Sequence, residues 1–552
     1  MKEKLQKILI SSAQQWAPLP PFEIERPKVA AHGELSTNLA MILAKRLGRK
    51  PQEVAQELIQ SLQDPDHLIR KVTVAGAGFI NFTLSPQAWQ QSLREVIQSG
   101  AQWGRSDASR GKRAVVEFVS ANPTGPLHIG NARGGPLGDT IAALLEATGY
   151  EVTREYYVND VGGQIDKLGE SILYWIHNNF NREGSPPEGY PGEYVYELAV
   201  LAKEKFSEKI NRWDQKKAGQ FGIDEMMREI ESDCKEMGIR FDSWVKENEI
   251  LGSNKTDQVI QELKKKGVTV EKEGAVWFAP QDEFLADRES VLVRSDGRPT
   301  YFANDIAYHR DKYHRKFDRI INIWGSNHHG HIPRLKAAMK FLGYDPDRLE
   351  TTLYQFVRVK RGQEVVKMSK RGGNFVTARE VLDEAGREAF RFFLLMRAPE
   401  SHLDFDIELA RRHAQENPVY YVQYAHARLA AIERKAAELN IPPPLSLRVR
   451  LELLDLPEEI ELIRLLNEYP EEVKRAAFRL EPHRIPFYLL ELTKHFQSYY
   501  TKAKEDPRYK VLSPDIDTSQ AKMYLCAALK LTLSQGLKLL GVSAPEVMVQ
   551  EA

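Results

Sequence analysis

Residues 114–133 read Ala114-Val-Val-Glu-Phe-Val-Ser-Ala-Asn-Pro-Thr-Gly-Pro-Leu-His-Ile-Gly-Asn-Ala-Arg133. An apolar run of strand length is followed by a turn rich in proline and glycine, and then by a segment of helical character that extends to Thr148. Open α/β sheets bind ligands where a strand gives way to a helix in this manner. We therefore expect a ligand site at this turn.

Two further apolar runs, 151–158 and 319–324, are the next strand candidates, and long helical stretches separate them. This spacing predicts an α/β fold with a Rossmann-like, doubly wound parallel sheet. In the N-terminal region we expect a helix over 35–47 and a strand pattern over 72–84. The predicted units are a small N-terminal α/β domain (1–110), a sheet domain (111–420) with an insertion at about 170–290, and a C-terminal all-α helix bundle (421–552).

The composition is that of a globular chain with several domains: 77 basic and 77 acidic residues among 552, and 42% hydrophobic residues. Cys234 and Cys526 stand alone, which argues against a disulfide framework and a thiolate zinc site. No apolar run reaches the length of a membrane span, and the first residues lack the apolar core of a signal peptide. We expect a soluble, cytoplasmic protein without membrane contact.

Polar and small residues crowd the turn after the first strand. His128 and Asn131 are donors at the opening of the helix, whose unpaired N–H groups and positive dipole end suit phosphate. Gly125 and Gly130 allow the backbone to approach a ligand closely. The other interpretation is a plain strand–loop–helix joint with an incidental histidine. No Walker lysine motif and no GxGxxG occurs in the chain.

A second cluster reads Val365-Val-Lys367-Met368-Ser369-Lys370-Arg-Gly-Gly-Asn374. Mobile cations of this kind can close over a polyphosphate and stabilise charge that develops in a transition state. Taken alone, the same cluster suits a solvated turn. We expect both clusters at one edge of the same sheet.

Together these segments resemble a known family. His128-Ile-Gly130-Asn131 resembles the HIGH signature, and Lys367-Met-Ser-Lys370 the KMSK signature, of class I aminoacyl-tRNA synthetases. Longer stretches along the whole chain resemble arginyl-tRNA synthetases: Glu117-Phe-Val-Ser-Ala-Asn122-Pro-Thr-Gly-Pro-Leu-His, Tyr156-Tyr-Val-Asn-Asp160, Tyr301-Phe-Ala-Asn-Asp305-Ile-Ala-Tyr and Leu540-Gly-Val-Ser-Ala-Pro-Glu. One departure is Asn131, which stands in place of the final HIGH histidine.

The resemblance implies a ligase that activates L-arginine with ATP to arginyl-adenylate and pyrophosphate. It then transfers arginine to the 3′-terminal adenosine of tRNA, and Mg²⁺ accompanies the polyphosphate. The family generally requires bound tRNA even for the first step. The resemblance implies catalytic roles for His128, Asn131, Lys367 and Lys370, and ATP-binding roles for Gly130, Gly325, His328, His329, Met368 and Ser369.

By the same resemblance, arginine is held by Glu117, Asn122, Tyr301 and Asp305. A pocket for arginine must present acceptors to five guanidinium N–H groups and keep cations away. Tyr301 and Asp305 are four residues apart, so on a helix they share one face. The alternative interpretations are an ordinary surface acid at Asp305 and core packing at Tyr301.

The flanking units are the candidates for RNA binding. Phe79 and Asn81 resemble the family's contact with the D-loop of tRNA. Residues 473–510 hold nine basic and four acidic side chains interleaved with aromatic rings, a mixture that suits anticodon binding through Tyr499 and Tyr500. For each ring, packing in the core is the alternative.

His328-His329-Gly-His331 has no cysteine or carboxylate at ligand spacing, so we expect no structural zinc and no other protein-bound metal. A monomer is expected. Two other functions stay open on the sequence: a catalytically silent tRNA-binding paralogue and another nucleotidyl transferase of the HxGH superfamily.

Overall fold

A computed structural model describes residues 1–27, 29–182, 184–186, 189–280, 289–366, 376–443 and 449–548. The N-terminal unit has helices Lys2–Ser12 (α1), Leu39–Leu47 (α2), Pro51–Gln60 (α3) and Pro86–Ser99 (α4), and strands Ile24–Glu25 (β1), Leu35–Thr37 (β2), Ile69–Ala75 (β3) and Phe79–Leu84 (β4). The four strands form an antiparallel sheet in the order β1-β2-β4-β3. The helix predicted over 35–47 is wrong at its start, because residues 35–37 are strand β2.

The sheet domain alternates strands and helices. Its strands are Arg113–Glu117 (β5), Glu151–Val158 (β6), Ser243–Lys246 (β7), Thr269–Lys272 (β8), Ala275–Phe278 (β9), Ser290–Val293 (β10), Arg319–Gly325 (β11), Leu349–Tyr354 (β12), Val357–Arg361 (β13), Glu364–Val365 (β14) and Leu403–Asp406 (β15). Its helices are Ile129–Ala132 (α5), Gly134–Ala147 (α6), Gly163–His177 (α7), Glu193–Phe206 (α8), Gln215–Glu236 (α9), Glu247–Gly252 (α10), Lys255–Lys265 (α11), Tyr301–His314 (α12), Ile332–Phe341 (α13), Ala378–Leu395 (α14) and Ile407–Arg411 (α15).

Five of these strands form the central sheet, in the order β12-β11-β5-β6-β7, and every neighbouring pair is parallel. Numbered within the sheet, this is the order 5-4-1-2-3 of a doubly wound fold, so the predicted fold class is confirmed. The chain reverses its direction of winding between β5 and β11. That point, at the carboxyl ends of the two strands, is where such sheets bind ligands.

The predicted insertion at 170–290 is wrong in its extent. Strand β7 lies within it and forms the edge of the central sheet, paired with β6. Helices α7, α8 and α9 therefore belong to the crossover between β6 and β7. They pack around their own apolar cluster, which explains why the sequence suggests a separate unit there.

The C-terminal helices are Pro418–Glu438 (α16), Pro457–Arg479 (α17), Arg484–Lys502 (α18) and Ile516–Leu539 (α19), and they pack as a bundle. The N-terminal unit docks on this bundle through α4, where the Gln90 amide donates to the carbonyl of Leu454 at 2.9 Å. The buried Arg391 joins the bundle to the sheet domain, because its guanidinium donates to the carbonyl of Leu540 at 2.6 Å and to Asp139 on α6 at 2.7 Å. Across the described ranges, no helix is both long and apolar enough to cross a membrane.

Helix α6 lies unusually close to the end of β5. A Cβ atom added at Gly138 would overlap the side chain of Phe118, the residue that follows β5. This close approach requires glycine and holds the helix after His128 against the ligand edge of the sheet.

We expect Gly138→Ala to destabilise the protein by about 1–3 kcal/mol, because the added methyl group must displace Phe118. Helix propensity alone would favour alanine by about 1 kcal/mol. Urea unfolding followed by circular dichroism measures the difference. Gly252→Ala at the end of α10, where nothing lies within 4 Å of the added atom, is the matched control. Equal stability of the two variants would contradict the packing argument.

Candidate active site

The turn after β5 is strained. Val119 and Ser120 have φ angles of 64° and 40°, a region that side chains other than glycine, and β-branched ones above all, rarely adopt. The Ser120 hydroxyl donates to Glu117 Oε1 at 3.2 Å and accepts from the backbone N–H of Tyr157 at 3.1 Å. The neighbouring strand β6 thus holds the turn in place, and the turn orients the Glu117 carboxylate.

His128 is the N-cap of α5 and is half-buried. Its Nδ1 accepts from the backbone N–H of Gly130 at 2.8 Å, so the neutral ring carries its proton on Nε2 as a donor. A side chain at Gly130 would press on this imidazole, with Cβ only 2.9 Å from Nδ1. Asn131 is exposed on the same turn.

Lys367, Met368, Ser369 and Lys370 lie outside the described residues. The residues that follow this stretch are hydrogen-bonded to the backbone on either side of His128. Ala378 N–H donates to the carbonyl of Leu127 at 2.7 Å, and Ile129 N–H donates to the carbonyl of Val376 at 3.1 Å. Residues 376–378 therefore lie directly against the residues that flank His128, although some 250 positions separate them in sequence.

Tyr301 and Asp305 lie on one face of α12, as predicted, after the N-cap Thr300. Tyr301 is exposed, whereas Asp305 is buried between the imidazoles of His309 and His331. Burial alone would raise the pKa of the Asp305 carboxyl, but the two imidazoles outweigh it and lower that pKa well below its usual value. Asp305 is therefore a buried carboxylate and not an ordinary surface acid.

Glu117 ends β5 with a cation beside it. Lys312 Nζ donates to its Oε2 at 2.6 Å, and the lysine side chain is 0% exposed. A cation therefore lies beside this predicted arginine contact, whereas the sequence led us to expect a pocket without cations. Nothing in the local sequence signals the contact, because the two residues are 195 positions apart.

Glu247, at the start of α10, is a buried acid that sequence reasoning missed. The Asn304 amide donates to its Oε1 at 2.7 Å, and its burial raises its pKa. Asn122, predicted to contact arginine, is exposed and donates to Gln164 on α7 at 3.1 Å. Glu247 and Asn304 are 57 positions apart, so no local sequence pattern signals this contact.

The loop after β11 carries the predicted nucleotide-side residues. Gly325 and His328 are half-buried, and His329 is exposed. The His328 ring lies 5.5 Å from that of Trp324, and burial lowers the pKa of His328. Within the described ranges, no group of three His, Cys, Asp or Glu side chains is placed to hold a metal ion.

Three protein-family profiles match the chain. The profile described as tRNA synthetases class I (R), catalytic domain, matches residues 92–398. The profile of the DALR anticodon binding domain matches 422–548, and that of the arginyl tRNA synthetase N-terminal domain matches 1–84. An arginine–tRNA ligase of Syntrophotalea carbinolica is 44% identical over 96% of this chain and 95% of its own length. The chain belongs to the arginyl-tRNA synthetase family.

Other arginyl-tRNA synthetases agree with this assignment. An arginine–tRNA ligase of Moorella thermoacetica is 43% identical over 96% of this chain and 94% of its own length. The crystal structure of a putative arginyl-tRNA synthetase from Campylobacter jejuni matches with a TM-score of 0.74 at 33% identity, over 84% of this chain and 100% of that chain. The Thermus thermophilus arginyl-tRNA synthetase matches with a TM-score of 0.79 at 25% identity, over 99% and 100%.

The N-terminal contact predicted for arginyl-tRNA synthetases has one exposed and one buried residue. Phe79, at the start of β4, is 42% exposed, so its ring is not part of the core. Asn81, two residues on, is buried. Both line a surface depression of about 330 Å³ together with Arg26 and His32.

The tRNA-binding prediction for Tyr499 is wrong. Its side chain is 1% exposed, and its hydroxyl donates to the buried Glu459 at 2.9 Å, so the ring packs in the core of the bundle. Tyr500 is half-buried and lies against Arg428, whose guanidinium also lies over Tyr424. These three residues line a groove of about 680 Å³ together with Lys504 and Lys510. This groove has the rings and positive charges that suit RNA.

We expect substitution of Tyr499 to change mainly the stability of the protein, and substitution of Tyr500 to change mainly the KM for tRNA. Tyr499→Phe leaves a buried carboxylate with one donor fewer and should destabilise the protein by about 1–3 kcal/mol, with an unchanged KM for tRNA. Tyr500→Ala should raise the KM for tRNA, because base stacking contributes about 1–3 kcal/mol, and should change stability less. Aminoacylation kinetics and urea unfolding of both variants give the comparison. A tRNA defect in Tyr499→Phe alone would contradict it.

Proposed function

We propose that the chain is an arginine–tRNA ligase that forms arginyl-adenylate from L-arginine and ATP. A carboxylate oxygen of arginine attacks the α-phosphorus, and pyrophosphate leaves. The activated arginine is then transferred to the terminal adenosine of tRNA. The proposal rests above all on Asp305, a buried carboxylate held ionised at the point where the sheet reverses its winding.

For the amino acid, Asp305 is the partner of the guanidinium and Glu117 the partner of the α-ammonium group. A carboxylate receives two parallel N–H donors from a guanidinium in a geometry that lysine cannot reproduce. His331 Nε2 contacts Asp305 Oδ2, one of the two oxygens that a guanidinium would engage. Tyr301 and Asn122 complete the proposed pocket.

For the nucleotide, His128 supplies its Nε2–H and Asn131 its amide at the opening of α5. Gly130, Gly325, His328 and His329 are proposed to line the ATP site, and Lys367, Met368, Ser369 and Lys370 to contact the polyphosphate. Mg²⁺ keeps most of its waters and binds through substrate phosphates, so it enters with ATP.

For tRNA, Phe79 and Asn81 are the proposed contacts on the N-terminal unit, and the groove around Tyr500 and Arg428 on the bundle. This groove, and not the buried Tyr499, is the proposed tRNA contact on the bundle. A monomeric state and a cytoplasmic location stay predictions, as do the domain limits at 110 and 420.

Pyrophosphate–ATP exchange tests the activity directly. We expect exchange with arginine in the presence of arginine-accepting tRNA, and exchange about 10⁴-fold slower with citrulline, which has the same shape but no positive charge. Exchange with another amino acid would contradict the arginine assignment. Binding of tRNA without exchange under any condition would favour a silent tRNA-binding paralogue.

We expect Asp305→Asn to raise the KM for arginine about 30-fold or more, equivalent to about 2 kcal/mol, while the KM for ATP stays within about twofold. The charge that pairs with the guanidinium is lost, and the nucleotide contacts are not touched. Asp311→Asn is the matched control, since Asp311 lies on the same helix and pairs instead with Lys255. Equal changes in both KM values for Asp305→Asn would remove Asp305 from the amino-acid pocket.

A further inference from the structure

A continuous chain of buried hydrogen bonds joins the two carboxylates assigned to arginine. Lys312 Nζ donates to Glu117 Oε2 at 2.6 Å and to Asn322 Oδ1 at 3.1 Å. The Asn322 amide nitrogen lies 2.8 Å from His309 Nε2, and His309 Nδ1 lies 3.1 Å from Asp305 Oδ1. The linking residues Lys312, Asn322 and His309 are each 0% exposed. We call these three residues the relay.

The donor and acceptor of each hydrogen bond in the relay can be assigned, starting from Lys312. Lysine only donates, so the oxygen of the Asn322 amide faces Lys312 and its nitrogen faces His309. An amide nitrogen also only donates, so His309 Nε2 accepts and the neutral ring carries its proton on Nδ1. That proton points at Asp305, on its carboxylate oxygen and its backbone carbonyl. A single assignment of protons therefore accounts for every hydrogen bond of the relay.

Two elements of the fold build the relay. Asn322 on β11 is the register partner of Glu117, the last residue of β5, so the two residues are neighbours in the sheet. Asp305, His309 and Lys312 are spaced four and three residues apart on α12, which places them on one helix face. The relay exists only where this helix face packs over the point at which the sheet reverses its winding.

Stability alone does not account for a lysine in this position. A buried ion pair recovers little more than the cost of removing two charges from water, and apolar residues of similar volume often stabilise a fold as well or better. The relay does act on the two carboxylates. Lys312 and Ser120 engage the two oxygens of Glu117, and His309 engages one oxygen of Asp305, so the orientation of both carboxylates is fixed.

We propose that Lys312, Asn322 and His309 are positioning residues for arginine, which hold the Glu117 and Asp305 carboxylates aimed at the two ends of the amino acid. This inference rests on the proposed roles of Glu117 and Asp305. A preorganised pair of carboxylates binds a ligand with two cationic ends more tightly than two mobile ones. The relay acts on the amino acid and leaves ATP binding unaffected.

The pH dependence of the KM for arginine depends on the charged and titratable side chains that face the two carboxylates. The charged or titratable side chains that face Glu117 are Lys312, Tyr301, Tyr308 and His328. Those that face Asp305 are His309, His331, His328, Tyr157, Tyr301 and Glu247. Among the residues that the structure describes, Lys312 is the only lysine or arginine in either set, so its removal takes away the positive charge that lies 2.6 Å from Glu117.

The test measures the KM for arginine and for ATP in full-length Lys312→Met from about pH 8.5 to about pH 6.5. A buried carboxylate without a cation takes up a proton more readily, and the protonated acid does not bind an ammonium group. We expect the KM for arginine to rise about tenfold or more, and to rise further than in the parent protein as the pH falls. The KM for ATP should stay within about twofold. Lys255→Met, which breaks the ion pair with Asp311 on the outer face of the same helix, should change neither.

Two more variants make the outcome decisive. The double variant Glu117→Gln/Lys312→Met lacks both charges. Its KM for arginine should be raised at every pH, but it should not show the extra rise at low pH that we expect for Lys312→Met alone. Asn322→Leu breaks the relay without changing a charge and should also raise only the KM for arginine; it decides the matter if Lys312→Met does not fold.

Two results would overturn the relay, provided that Asp305→Asn raises the KM for arginine. One is a folded Lys312→Met variant whose arginine KM follows the pH profile of the parent protein. The other is an Asn322→Leu variant with an unchanged KM for arginine. In that case Glu117 and Asp305 keep their proposed roles. If Asp305→Asn and Glu117→Gln both leave the KM for arginine unchanged, the proposed pocket is wrong, and the relay with it.

Discussion

The parallel pairing of β5 with β11 is the constraint on which the site depends. It places Glu117, the last residue of β5, beside Asn322 in the middle of β11. The crossover helices leave these two strands in opposite directions, which creates a crevice at the carboxyl edge of the sheet. Helix α12 covers this point with a polar face, so a buried carboxylate, a lysine and a histidine meet where an apolar core would otherwise form. The strained turn at Val119 and Ser120 completes the wall on the β6 side.

The first signature is tied to distant parts of the chain by direct hydrogen bonds. Residues 376–378 pair with the backbone on either side of His128, so the segment after the second signature is attached to the first. Arg133, two residues after Asn131, is buried and donates to the carbonyls of Gln355 and Ser401 at 2.8 Å. Arg391 bonds α6 to the chain leaving the bundle at Leu540. Arg391 therefore connects helix α6 to the unit proposed to read tRNA.

Local patterns predicted those features that depend on neighbours in sequence. The strands at 151–158 and 319–324, the turn at His128 and the helix face shared by Tyr301 and Asp305 follow from periodicity and capping, and the structure has all of them. Predictions failed where packing outweighs the local pattern. Residues 35–37 join a strand because β4 lies beside them, and Tyr499 turns inward, where its hydroxyl donates a hydrogen bond to Glu459. The charged stretch at 170–290 conceals β7, whose four residues are too few for a periodic signal.

The sequence by itself determined the family, the two signatures and the residue types at the ligand edge, because these are properties of short contiguous segments. Only the tertiary structure decided how the acids are partnered. Lys312 and Glu117 are 195 residues apart, and the contact exists because a strand end and a helix face converge. Glu247, His309 and Asn322 are ordinary residues in sequence and become part of the site through burial. A hydrogen bond between distant residues leaves no trace in the spacing of either segment, whereas in the folded protein it sets the charge and direction of the groups proposed to bind arginine.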